Sequence, residues 1–198
     1  MGTVTSLRGT ATVTRVPPQT PPPVLPLTFR DSLFSGDRIA TGARSFARIS
    51  LGIFATVTVC ERSALTLTED DDSNASVLTL DTGRIHLDVV KARMEPGHSV
   101  KIKTPDTVVD VPDAIVIADV ASRMPNSIAG DGMRSQFLVM HGHVDVTSMD
   151  PTGRPGPASF SIFPPRDERT KITMASPPRP SSQLGLPEQV CSIALPAP

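Results

Sequence analysis

The chain of 198 residues has no tryptophan and no tyrosine, and aromatic side chains make up only 4% of it. Its core must therefore come from Val, Ile, Leu, Ala, Met and seven Phe, a mixture that favours strands over long helices. A surplus of positive charge is also missing. With 19 basic and 20 acidic residues the net charge is −1, which argues against nucleic acid as a partner. No apolar run reaches the length of about 18 residues that a spanning helix needs, so no transmembrane segment is expected. No signal peptide is read either, because Gly2-Thr3-Val4-Thr5-Ser6-Leu7 looks like a strand directly after Met1. Cys60 and Cys191 belong to no C-x-x-C pair. They read as two isolated small residues, the second in a Pro-rich stretch, and whether they pair is left open.

Catalytic signatures are absent in the same way. Neither G-x-x-x-x-G-K-[ST] nor G-x-G-x-x-G occurs, so no phosphate cradle is expected, and there is no G-x-S-x-G elbow or H-E-x-x-H pair. The expectation is a protein that is not an enzyme and carries no cofactor.

What is present is alternation. Val57-Thr58-Val59, Leu65-Thr66-Leu67, Leu78-Thr79-Leu80, Ile85 to Val89, Val100-Lys101-Ile102 and Val144-Asp145-Val146 place apolar residues at every second position, as half-buried strands do. Turn signals separate them at Gly36-Asp37, Asp70 to Asn74, Glu95-Pro96-Gly97 and Gly130-Asp131-Gly132. The spacing predicts an all-β body of roughly a dozen strands, two-sheet and jelly-roll-like or an irregular β-solenoid, over residues 1–175. A last strand pair is expected within 158–174. Three glycines, Gly9, Gly83 and Gly142, are each followed by apolar residues two and four positions on, and they predict bends between sheets at equivalent places. Residues 176–198 are rich in Pro and Ser and predict a disordered tail, and Pro17 to Pro23 an exposed loop.

Leu33-Phe34-Ser35-Gly36-Asp37-Arg38-Ile39-Ala40-Thr41-Gly42, followed by Ser45-Phe46-Ala47-Arg48-Ile49-Ser50-Leu51, resembles the FecR domain family. Ser63 to Leu67, Leu80 to Gly83, Lys103-Thr104-Pro105 and His141 to Val146 follow in the family's order, so the resemblance spans 3–148. Ile39, Ala47, Ile49 and Leu51 are expected to face inward. The chain departs from the family after Pro105, where Pro112-Asp113-Ala114 stands in place of Arg-Gly-Thr. Because proline cannot donate to a ladder, Pro112 predicts a sheet edge or a strand start. The resemblance implies a regulatory protein in which an anti-sigma module and a membrane helix precede an extracytoplasmic domain. Neither is found in these residues, so a stand-alone binding or regulatory version is expected, periplasmic or extracellular, whose partner is a protein or cell-envelope component. A structural envelope protein and a cupin-like metal enzyme are the alternatives.

The metal alternative rests on His141, His143 and Asp145, which share one strand face by alternation and could together hold Zn or Fe. No Glu follows to complete a cupin set, and with Leu138, Met140, Val144 and Val146 facing inward both histidines point to solvent. His86, Asp88 and His98 are expected at the surface as well. Glu69-Asp70-Asp71-Asp72 lacks calcium-loop spacing and reads as a solvated hairpin loop. Between Ala121 and Ser135 a long irregular insertion carries Met124, Pro125, Ile128 and Met133, adaptable apolar groups suited to contact with a partner.

Overall fold

The structure is a computed structural model that describes residues 2–15, 23–122, 133–149, 155–164 and 191–192, with 122, 133 and 155–160 described by their backbone alone. Its strands are β1 (Gly2–Arg8), β2 (Ala11–Thr14), β3 (Val24–Pro26), β4 (Ser32–Leu33), β5 (Arg38–Thr41), β6 (Phe46–Leu51) and β7 (Ala55–Val59). They continue with β8 (Ala64–Asp70), β9 (Ala75–Val89), β10 (Ser99–Lys103), β11 (Thr107–Ser122), β12 (Met133–Met149) and β13 (Pro155–Ile162). The all-β expectation holds, and Ala158–Ile162 falls in β13. The expected strand at 170–174, the Pro17–Pro22 loop and the tail lie outside the described residues, apart from Cys191 and Ser192.

All thirteen strands belong to one hydrogen-bonded sheet, which the long strands divide into two flanks. Up to Thr82, β9 pairs with β8, and over Ala75–Thr79 it also runs parallel to β10. From Gly83 onward its partners are β7 and β11. The first flank is thus β4, β1, β6, β7, the second half of β9, then β11 and β12. The second is β3, β2, β5, β8, the first half of β9, then β10, β11, β12 and β13. Both send their alternate apolar side chains into one cluster: Val4, Ile49, Val57, Leu87 and Val116 from the first, Val13, Ile39, Leu65, Ile102 and Val146 from the second. Ile39, Ala47, Ile49 and Leu51 all face inward as expected. At the far end Asp106, in the turn between β10 and β11, accepts hydrogen bonds from the backbone N–H (3.3 Å) and the hydroxyl of Ser135 on β12. Burial alone would raise this carboxyl, but the bonds from Ser135, Thr104 and Thr107 outweigh it and hold Asp106 below the ordinary carboxylate value.

The three glycines are the bends. Gly9, Gly83 and Gly142 have φ of 75°, 83° and 77°, a left-handed conformation that a side chain opposes. Each also sits where a Cβ has no room: it would lie 2.2 Å from Ser45 Oγ at Gly9, 2.3 Å from Ser63 Oγ at Gly83 and 2.0 Å from the Asp113 carbonyl at Gly142. The first two corners repeat one hydrogen-bond pattern. Ser45 Oγ accepts the Thr10 N–H (2.9 Å) and donates to the Ala43 carbonyl (3.0 Å). Ser63 Oγ accepts the Arg84 N–H (2.8 Å) and donates to the Glu61 carbonyl (3.1 Å).

Pro112 corrects one expectation. It lies inside β11, in the gap between the stretch paired with β10 (to Asp110) and the stretch paired with β9 (from Ile115), and not at a strand start. The register with β12 jumps from Asp110–Asp145 to Asp113–His143, so Val111 and Pro112 share a bulge opposite one residue, where the missing N–H costs no ladder bond.

Candidate interaction surface

The strand that carried the metal alternative, β12, turns at Gly142, and a second bulge precedes that corner: Ile115 pairs with His141 but Val116 with Val139, leaving Met140 as the extra residue. The bulge reverses the alternation. Val139 is buried and Met140 is 39% exposed, and Leu138 is half-buried outside the core cluster, so the expected inward placement of Leu138 and Met140 is wrong. One inserted residue exchanges the two faces of a strand, and no periodicity reveals where it sits.

His141, His143 and Asp145 are all exposed, but the Gly142 corner stands between the two histidines and puts them on different flanks. His143 stacks on Phe163, with ring centroids 5.8 Å apart, and Asp145 accepts a hydrogen bond from Ser161 Oγ at 2.5 Å. Among the described residues no three metal-binding side chains come together.

His86 is a second correction, because it is buried and not at the surface. It points away from the core cluster, between Ile85 and Leu87, yet is only 6% exposed, and among the described residues its Nε2 has no hydrogen-bond partner. Burial, reinforced by the nearby Arg48 guanidinium, lowers its pKa to about 4. Asp88 on the same strand is half-buried, and burial raises its carboxyl above the ordinary value. His98 is half-buried too, bonded to Ser76 Oγ (3.1 Å) and Asn74 Oδ1 (3.3 Å) and edge-on to Phe54.

The acidic run closes the β8–β9 hairpin, where Ser73 donates to Asp70 at 2.6 Å and holds that carboxyl below its ordinary value. Its Glu69, Asp70 and Asp71 line, with Ile53, Phe54, Arg93 and His98, a cleft of about 450 Å³. Cys60 and Cys191 are not isolated but form a disulfide across 131 residues of sequence, a pairing that their separation hides.

The sheet's margins are unequal. β4 has two residues, β3 has three and ends in Pro26, and β13 carries Pro155 and Pro157, all devices that blunt an edge. In contrast, Gln136–Met140 of β12 has β11 on one side and, among the described residues, no strand on the other. Exposed Met140 and Phe163, the latter 65% exposed, lie on this strand and just beyond β13. Of the contact residues expected in the insertion, Met124, Pro125 and Ile128 lie outside the described residues, and Met133 opens β12.

Among the described residues the molecule is an all-β body with dispersed polar side chains and an open strand margin at Gln136–Met140. A family described as FecR protein matches residues 37–145, more than half of the sequence, and the chain belongs to that regulatory family. The matched span includes Ser45, Ser63, Gly83 and Gly142 and leaves out β1 and Gly9. Two crystal structures of a candidate anti-sigma factor from Parabacteroides distasonis, at 1.65 and 2.50 Å resolution, are similar in fold, each with a TM-score of 0.47 and 12% identity. The aligned part covers 64% of this chain and 51% of that one, so the chain spans about half the length of the protein it matches. No curated protein matches the chain.

Proposed function

We propose that this FecR-family domain works outside the cytoplasm as a docking module in signalling, binding a protein or cell-envelope component by its backbone edge and not in a pocket. The observation that carries the proposal is that, among the described residues, the margin Gln136–Met140 is open while those at β3, β4 and β13 are blunted. A strand edge offers N–H and C=O groups to an extended segment, and this kind of pairing leaves little sequence signature. The Cys60–Cys191 disulfide suits an oxidising compartment and supports the extracytoplasmic placement.

The test is capture from an envelope extract with three proteins: the parent, one with 123–132 replaced by a short Gly-Ser turn, and L138K/M140K. The two lysines are expected to abolish capture and leave the melting temperature within a few degrees. Capture that survives them overturns the edge, and loss on loop replacement alone moves the contact to the insertion. A second reading, a structural envelope protein, is favoured by the blunted margins β3, β4 and β13 and predicts that no partner is captured at all.

A further inference from the structure

Three connections meet at the cleft beside the acidic hairpin: the β6–β7 turn with Ile53 and Phe54, the β8–β9 turn with Asp71 and Asn74, and the segment 90–98 between β9 and β10. They are tied to one another. The Val90 N–H donates to the Phe54 carbonyl (2.8 Å), the Ser99 N–H donates to the Asn74 carbonyl (3.1 Å), and His98 touches both neighbours, bonded to Asn74 Oδ1 and edge-on to Phe54. At about 450 Å³ the cleft falls within the roughly 300–1,000 Å³ of small-ligand sites.

Its lining has two characters. Ile53 and Phe54 form an apolar wall, and Ile53, at 76%, is the most exposed of the large apolar side chains among the described residues. Beside it stand the carboxylates of Glu69, Asp70, Asp71 and Glu95, all on exposed residues, with Arg93 as the one cation in the lining and Lys101 close enough to act on Asp70. Acid outweighs base, and a cleft lined mainly by one sign of charge draws in the other. The carboxylates do not converge on a point. Among the described residues no three metal-binding side chains come together, so the cleft suits a cation carried on a longer group and not a metal ion.

We propose that this cleft is a second docking site, separate from the β12 margin, for a peptide segment in which a basic side chain stands next to an apolar one. The apolar side chain packs on Ile53 and takes it out of water, while the ammonium or guanidinium pairs with Asp71 and Glu95. A guanidinium also finds the face of the Phe54 ring. Because the three connections are bonded together beforehand, binding has little to order. No residue of β12 lines the cleft, so the two sites can be occupied at once.

The test is an NMR titration of the full chain with a capped Leu-Arg-Leu-Arg-Leu peptide. Binding with a Kd of roughly 0.1–1 mM is expected, with shifts at the Ile53 methyls and the His98 ring. The same peptide with Glu in place of Arg should not bind, and spermidine, cationic but without an apolar side chain, should bind at least about fivefold more weakly. The exposed double variant D71K/E95K should weaken the Arg peptide at least about tenfold, and Ile53→Ser at least about threefold. No binding up to about 10 mM would overturn the site. Equal binding of the Glu peptide or of spermidine, or full affinity in D71K/E95K, would do the same. Shifts confined to Gln136–Met140 would place the peptide on the β12 margin and leave the cleft without a role. The Glu-peptide and spermidine arms use the parent protein, so they decide even where a variant fails to fold.

Discussion

Two of the molecule's corners are built alike and the third is not. At Gly9 and Gly83 a serine hydroxyl from a facing turn satisfies the next backbone N–H, so the bend keeps its hydrogen bonds and its polar atoms are covered. At Gly142 the neighbour is the backbone of Asp113 itself, with no serine, and bulges at Val111-Pro112 and Met140 lie on either side. Immediately around this corner the exposed groups gather: Met140, His141, His143 and Phe163, next to the open margin of β12. The serine corners are closed by side-chain hydrogen bonds, and the divergent corner is the one surrounded by exposed groups.

The comparison is most severely tested at the glycines. If the third corner were merely loose, Gly142→Ala would be milder than Gly83→Ala. Both positions have positive φ, and the obstructing atoms are backbone at 2.0 Å for Gly142 and Ser63 Cα at 2.6 Å for Gly83, so neither clash can be relieved by a rotamer change. Each substitution is expected to cost about 3 kcal/mol or more in denaturant unfolding, with Gly142→Ala at least as costly. A cost near zero for Gly142→Ala would mean that the third corner is not fixed.

Next in size is acid sensitivity. His86 is held neutral in the folded state with a pKa of about 4, against 6.5 unfolded, so the unfolded chain takes up a proton first as the pH falls. Its contribution is fully present above pH 6.5 and is lost between 6.5 and 4, a decline of up to about 3 kcal/mol. The raised Asp88 carboxyl works in the opposite sense at the acidic end and offsets part of it. His86→Gln should flatten the stability profile across that window, and a profile as steep as the parent's would show that another group titrates.

The smallest expected effect separates the corners most finely. Ser63→Ala strands the Arg84 N–H, and Ser45→Ala the Thr10 N–H, each at about 1–2 kcal/mol by thermal or urea unfolding. Asp113→Ala removes only the exposed bond from the Lys91 N–H to Asp113 Oδ1 (3.1 Å), where water can take over, and should cost less than either. Equal losses at all three would erase the distinction.

Much of this was legible in the sequence. The three glycine echoes mark the three corners, and alternation put Ile39, Ile49, Leu51, Val57 and Leu65 inside, because a two-residue period reports directly on which side of a strand is buried. The same rule failed at His86 and Thr58, where alternation correctly says outward but both side chains are buried. It failed at Leu138 and Met140 because a bulge slipped the phase, and at Pro112 because a proline can hide in a bulge as well as at an edge. The Cys60–Cys191 pairing joins residues 131 apart, beyond any local pattern.

The most direct test of the docking claim is photo-crosslinking in an envelope extract, with a photoreactive residue placed in turn at Gln136, Leu138 and Met140 of β12 and at Leu25 of the blunted strand β3. The account predicts a single dominant adduct from the β12 positions and none from Leu25. Adducts from Leu25 with none from β12 would contradict it.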